Sequence, residues 1–192
     1  MNLFFRWPAV FLLAFISAGA TTLATSSIAT AATFSREAAW MGTVSYVVDG
    51  DTIRVRPLGG GKPVSVRLEG IDAPEICQPG GPASRDALKR RVLRQKVSVL
   101  GRRHDTYGRM LAPVNFEGQD LGEWMVSKGQ AWSYRYRNSV GPYILQERRA
   151  RAAGLGLFSQ SSAIAAVSPV EPRKFRKDHG SCYSQRSGKL RR

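Results

Sequence analysis

The chain has only two cysteines and two histidines among its 192 residues. That scarcity excludes several kinds of site. No zinc-type spacing of Cys and His exists, and no Ser-His-Asp or Cys-His set stands out. His104 and His179 both lie in basic stretches, so a convergent histidine pair acting as acid and base is not expected. Acidic residues are also few: 14 against 29 Lys and Arg, a formal charge of +15. Such an excess points to nucleic acid or an anionic membrane face, through counterion release and steering. The plainer reading is a soluble basic surface. A membrane-length apolar run is missing too: Pro8–Ala20 is short of the about 20 residues a span needs. No amphipathic basic helix with a wide apolar face is evident either, which weakens a membrane-surface role.

What the amino terminus does contain is Arg6, the apolar run, and Ala29-Thr30-Ala31 as an A-x-A-like cleavage signal. Residues 1–31 therefore read as a secretory signal peptide, with an uncleaved anchor as the alternative. A secreted or periplasmic protein with no stable span in its mature chain is expected. In an oxidising compartment two cysteines most simply pair. A Cys77–Cys182 bridge would staple the far C-terminus to the loop after residue 75; two free thiols are the other reading.

Strand periodicity runs through 41–48, with Val44, Tyr46 and Val48 on one face. Asp49-Gly50 supplies a two-residue hairpin signal resting on a positive φ at Gly. Two further strands follow, over 51–56 and 64–68, with Ile53, Val55, Val64, Val66 and Leu68 inward. A basic helix is expected over 83–95, short strands over 97–100 and 110–114, and a helix capped by Asp120 with Glu123 three residues on. Pro142 opens a third helix and Gly154 closes it. Residues 159–170 look like a linker. Residues 171–192 hold eight Lys or Arg against Glu171 and Asp178. That tail is expected to be loosely ordered unless Cys182 ties it down, either solubilising the chain or touching nucleic acid.

The scarce acids are not spread evenly. Five of the 14 fall in two short stretches, VVDGDTIRV at 47–55 and VRLEGIDAPE at 66–75, with Arg67 among them. Asp51 and Asp72 lie at strand ends, where two carboxylates plus a backbone carbonyl suit a hard cation. Each alone has a plainer reading as turn chemistry. If Asp72 binds a metal, Glu75 is close enough to hold a water, and Arg67 is a candidate to fork across phosphate oxygens; alone they read as a surface glutamate and an exposed strand arginine. Gly108 permits a turn that presents Arg109. Tyr107, Tyr134 and Tyr136 suit stacking on a base, or, for the last two, packing in the core. Asp49 and Glu69 read as structural: one a turn residue with indirect influence on the site, the other a strand-end acid.

These stretches, with DTYGRMLA at 105–112, AWSYRY at 131–136 and GLGLF at 154–158, resemble the staphylococcal nuclease (thermonuclease) family over residues 41–158. The resemblance implies an α+β protein, mainly β: an OB-fold, a five-stranded Greek-key barrel with three helices. It implies a monomeric, Ca²⁺-dependent phosphodiesterase, a micrococcal-nuclease-like endonuclease, hydrolysing DNA and RNA to 3′-phosphate ends, while the sequence itself leaves endo and exo action both open. Asp51 and Asp72 would be the side-chain ligands of Ca²⁺, and the Ala73 carbonyl another ligand. Glu75 would be the general base or would orient the water. Arg67 and Arg109 would bind the phosphate, and Tyr107, Tyr134 and Tyr136 would contact the nucleotide. Departures from the family archetype are Ala73 for threonine, Thr106 for lysine and Phe158 for tryptophan. The alternative is a non-catalytic OB-fold that binds nucleic acid.

Overall fold

Alternation of apolar residues builds the centre of the sheet. In the computed structural model, which describes residues 39–101, 103–159, 169–180 and 182, β1 is Trp40–Val47, β2 Thr52–Pro57 and β3 Val64–Leu68. Ile53, Val55, Val66 and Leu68 are buried, while Arg54 and Arg56 point outward. β1 is flanked by β2 on one side and β5 (Lys96–Val99) on the other, both antiparallel. The expected face of β1 is corrected at its second half. A bulge between Val44 and Tyr46 shifts the register, so Tyr46 is 56% exposed and Val47 takes the buried place. One inserted residue flips every later side chain.

The order is completed by short strands. Beyond β3 come β7 (Met110–Ala112), running parallel to it, and β6 (Arg103–His104). Beyond β5 come β8 (Val114–Phe116) and β9 (Gln119–Asp120). β4 (Ile71–Asp72) pairs separately with β10 (Trp132–Ser133). The α+β, OB-like character holds. The five barrel strands are divided into shorter pieces, because Gly70 turns at φ 81° between β3 and β4 and Pro113 stands between β7 and β8 without an N–H for a ladder.

Helix α1 (Gly81–Val92) starts two residues earlier than expected, with Pro82 in its first turn. It packs Leu88 and Val92 into the core. Asp120 caps α2 (Leu121–Ser127), its carboxylate accepting from Glu123 N–H at 2.8 Å. Helix α3 (Ile144–Ala152) lies beside α2, and Phe158 meets Trp132 edge-on. Cys182 does tie the described part of the tail down. Pro172–His179 forms a fourth helix, α4, and a Cys77–Cys182 disulfide joins the tail to the loop before α1. Among the described residues no helix is long and apolar enough to cross a membrane. The proposed signal peptide and most of the linker lie outside the described residues.

Candidate active site

The turn between β1 and β2 presents the first acid. Val48 N–H donates to Thr52 O at 2.8 Å, and Asp51 N–H to Asp49 Oδ1 at 3.1 Å. Gly50 is not in the left-handed region expected of a hairpin glycine. Its need is space: a Cβ there would run into Ser84 Oγ of α1 and the Ala73 Cβ. The missing side chain lets α1 and the segment after β4 close over the turn. Asp51 is thereby 4% exposed. Its Oδ1 accepts from Thr52 Oγ1 at 2.8 Å and its Oδ2 from Ala73 N–H at 3.0 Å.

The second group comes from β3 and β4. Arg67 points off the polar side of β3 and makes an ion pair with Asp51 through Nη1. Its Nη2 lies 3.0 Å from Asp72 Oδ1. Asp51 and Asp72 thus stand within the span of one guanidinium. Asp72 is held in place by the β4–β10 pairing, opposite Trp132. Glu75 follows in a tight turn: its N–H donates to Gln78 Oε1 at 3.2 Å and its carbonyl accepts from Gln78 N–H at 2.8 Å.

The third group is the loop after β6. Asp105 Oδ1 accepts from the N–H groups of Tyr107 and Arg109, each at 2.9 Å, while Oδ2 holds Arg109 Nε at 2.7 Å. Gly108, at φ 74°, makes the turn. Arg109 Nη1 reaches Thr52 Oγ1 at 3.5 Å, the same hydroxyl that donates to Asp51. The structure therefore brings Asp51, Asp72, Ala73, Glu75, Arg67 and Arg109 to one face. Tyr107 (83% exposed), Tyr134 and Tyr136 are all solvent-facing, rather than packed in the core. Asp105 was not singled out by sequence, although an Asp followed by Tyr-Gly-Arg is an Asx-turn signal. For a nuclease of the kind the sequence resembles, Asp105→Ala is expected to release Arg109 and lower kcat/KM by about 10²-fold through misplacement alone, with the melting temperature little changed. Steady-state kinetics on an oligonucleotide check this; unchanged kinetics would show that Arg109 needs no such brace.

Packing these acids together perturbs them. Burial pushes the Asp49 carboxyl up to about 8, and the Asp51 charge adds to the rise. Burial also raises Asp72, again with the Asp51 charge adding to it, against the pull of Arg67 and Arg176. Asp51 is buried as well, yet its carboxyl is held low by Arg67 and by hydrogen bonds from Ala73 and Thr52. Crowded carboxylates of this kind are relieved by a hard cation. Among the described residues no three Asp, Glu, His or Cys side chains form a ready cage. A divalent ion would rest on Asp51, Asp72 and the Ala73 carbonyl, with solvent or phosphate oxygens completing its shell. A cavity of about 520 Å³ lined by Lys89, Arg90 and Arg94 of the α1 end shares no residue with this site.

Sequence reading missed one participant altogether. Arg176 of α4 lies 3.1 Å from Asp72 Oδ2 and 2.8 Å from Glu75 Oε1.

Known proteins resemble this chain over most of its length. Residues 65–160 match the family described as staphylococcal nuclease homologue. A micrococcal nuclease of Shigella flexneri is 36% identical over 147 residues, covering 71% of this chain and 80% of that protein. An uncharacterized endonuclease of Haemophilus influenzae is 33% identical, over 70% of this chain and 71% of its own length. Protein ParB of Escherichia coli is 38% identical over 148 residues, or 71% of this chain and 79% of that protein.

Proposed function

The chain belongs to the staphylococcal nuclease homologue family, and from that membership we propose that it is a secreted, Ca²⁺-dependent nuclease that hydrolyses DNA and RNA to products with 3′-phosphate ends. The observation that carries this reading is the meeting of Asp51, Asp72 and Glu75, bound together by guanidinium groups, in a chain of formal charge +15. An acidic pocket on a basic protein suits a cation working beside a polyanion.

Ca²⁺ held by Asp51, Asp72 and the Ala73 carbonyl would supply positive charge next to the scissile phosphate. Glu75 accepts a proton from the attacking water, whose oxygen forms the new bond to phosphorus. The bond from phosphorus to the 5′ oxygen breaks, and that oxygen leaves and takes a proton from solvent, so the phosphate stays on the 3′ side. Arg67 and Arg109 donate to the non-bridging oxygens, where charge builds in the transition state. Tyr107, Tyr134 and Tyr136 present exposed rings for the adjoining nucleotide. The Cys77–Cys182 disulfide suits an oxidising compartment, in keeping with export.

The test is a calcium titration on circular single-stranded DNA, circular duplex DNA and RNA. All three should be degraded in Ca²⁺ and spared by a chelator, and loss of the circles marks internal cleavage. Cleavage that persists with the cation removed would overturn the metal assignment. Retarded migration without degradation would instead identify a nucleic-acid-binding OB-fold.

A further inference from the structure

The C-terminal segment lies beyond the stretch 65–160 that matches the family, yet it reaches the centre of the site. Three ties deliver it. The disulfide fixes Cys182 to Cys77, with Cα atoms 5.7 Å apart. Gln78, which also shapes the Glu75 turn, donates from Nε2 to the Val170 carbonyl at 2.6 Å. Arg135 pairs with Glu171 at 2.8 Å, one residue before α4. Between these ties, α4 turns Arg176 inward.

The Arg176 guanidinium then spans two carboxylates that play different roles in phosphodiester hydrolysis. Nη2 lies 3.1 Å and Nη1 3.3 Å from the oxygens of Asp72, and Nη1 lies 2.8 Å from Glu75 Oε1. On the nuclease reading the phosphate under attack would lie between the water that Glu75 would hold and the cation that Asp72 would hold. A donor that touches both of those side chains borders the place such a phosphate would take. Arg67 has the same character: it too lies on Asp72 and is suited to fork across phosphate oxygens. The Arg176 side chain is 35% exposed, so it borders the open side of the site.

We propose that Arg176 is a third arginine of the phosphodiester site, a substrate-phosphate contact supplied by the tail and held in place by the Cys77–Cys182 disulfide. The proposal rests on the nuclease reading for the identity of its substrate. The tail thereby acquires a function. Pro172–His179 completes the site, and reduction of one disulfide disarms it.

The experiment compares the full mature chain with Arg176→Ala, Arg176→Lys, Cys77→Ser/Cys182→Ser and Lys174→Ala. Lys174→Ala removes a positive charge from the same helix at a residue paired with Asp178, not with the site. Cleavage kinetics are measured in Ca²⁺, and binding of a phosphorothioate oligonucleotide by fluorescence anisotropy, with circular dichroism as the check on folding. Arg176→Ala should lower kcat/KM at least tenfold and weaken oligonucleotide binding at least threefold, at unchanged circular dichroism. Arg176→Lys should fall between it and the parent, and Lys174→Ala should match the parent. The double serine variant, or dithiothreitol acting on the parent, should reproduce the Arg176→Ala loss. Dithiothreitol should cost Arg176→Ala nothing further. Equal or faster cleavage by Arg176→Ala would overturn the proposal and mark α4 as inert or as a plug. If the parent binds but does not cleave, the nuclease reading fails, and the anisotropy difference still decides whether Arg176 contacts phosphate.

Discussion

Replacing Glu75 with Gln is expected to lower kcat by about 10²–10⁴-fold, the range contributed by a positioned general base, while the protein stays folded. The substitution keeps the side chain's shape and removes its capacity to take a proton. Little of the surrounding structure depends on the charge. The turn is fixed by the Glu75 backbone, which exchanges hydrogen bonds with Gln78. Arg176, which pairs with the Glu75 side chain, keeps its contact with Asp72. KM should move much less than kcat, because the proposed role of the group is on the water rather than on the nucleotide. Single-turnover cleavage, read beside a thermal melt, checks both halves of the expectation. A variant within tenfold of the parent would remove Glu75 from the chemistry and leave it as an anchor for Arg176.

Local chemistry was legible in the sequence wherever the cause lay within a few residues. The alternation of Ile53 and Val55 with Arg54 and Arg56 marks a half-buried strand, and the Asp120 cap follows from an Asp placed before an apolar stripe. The structure also gathers Asp51, Asp72 and Glu75 from the two stretches at one face. What failed to show were effects set by partners distant in the chain. The β1 bulge depends on its match with β2 and exchanges Tyr46 for Val47. Gly50 looks like a turn glycine but is required by the approach of Ser84 and Ala73. Arg176 lies 104 residues from Asp72, in a stretch whose composition resembles a solubilising tail. Only the cysteine count hinted that it returns to the domain.

Glu147 is another residue whose importance is invisible in sequence, where it reads as an ordinary acid on a helix rich in arginine. In the fold it is 1% exposed. Its Oε2 accepts from Ser133 N–H at 2.9 Å, and its Oε1 holds Arg135 at 3.0 Å and Arg151 at 2.9 Å. Ser133 belongs to β10, the strand that pairs with β4 and so steadies Asp72. Arg135 in turn grips Glu171 ahead of α4. Glu147→Ala leaves a buried N–H without its acceptor and opens a hole, while the two arginines are exposed enough to regain water. The cost is therefore expected near the lower end for a broken buried ion pair, about 3 kcal/mol. For a chain of this size that lowers the melting temperature by roughly 10 °C. Glu147→Gln retains one acceptor oxygen and the volume, so it should lose less than half as much. Because Glu147 itself is buried, added salt should change the difference little. Thermal melts of the two variants at low and high salt provide the test. An alanine variant melting within about 2 °C of the parent, no more than about 1 kcal/mol at this size, would show that β10 is held by its pairing with β4 alone.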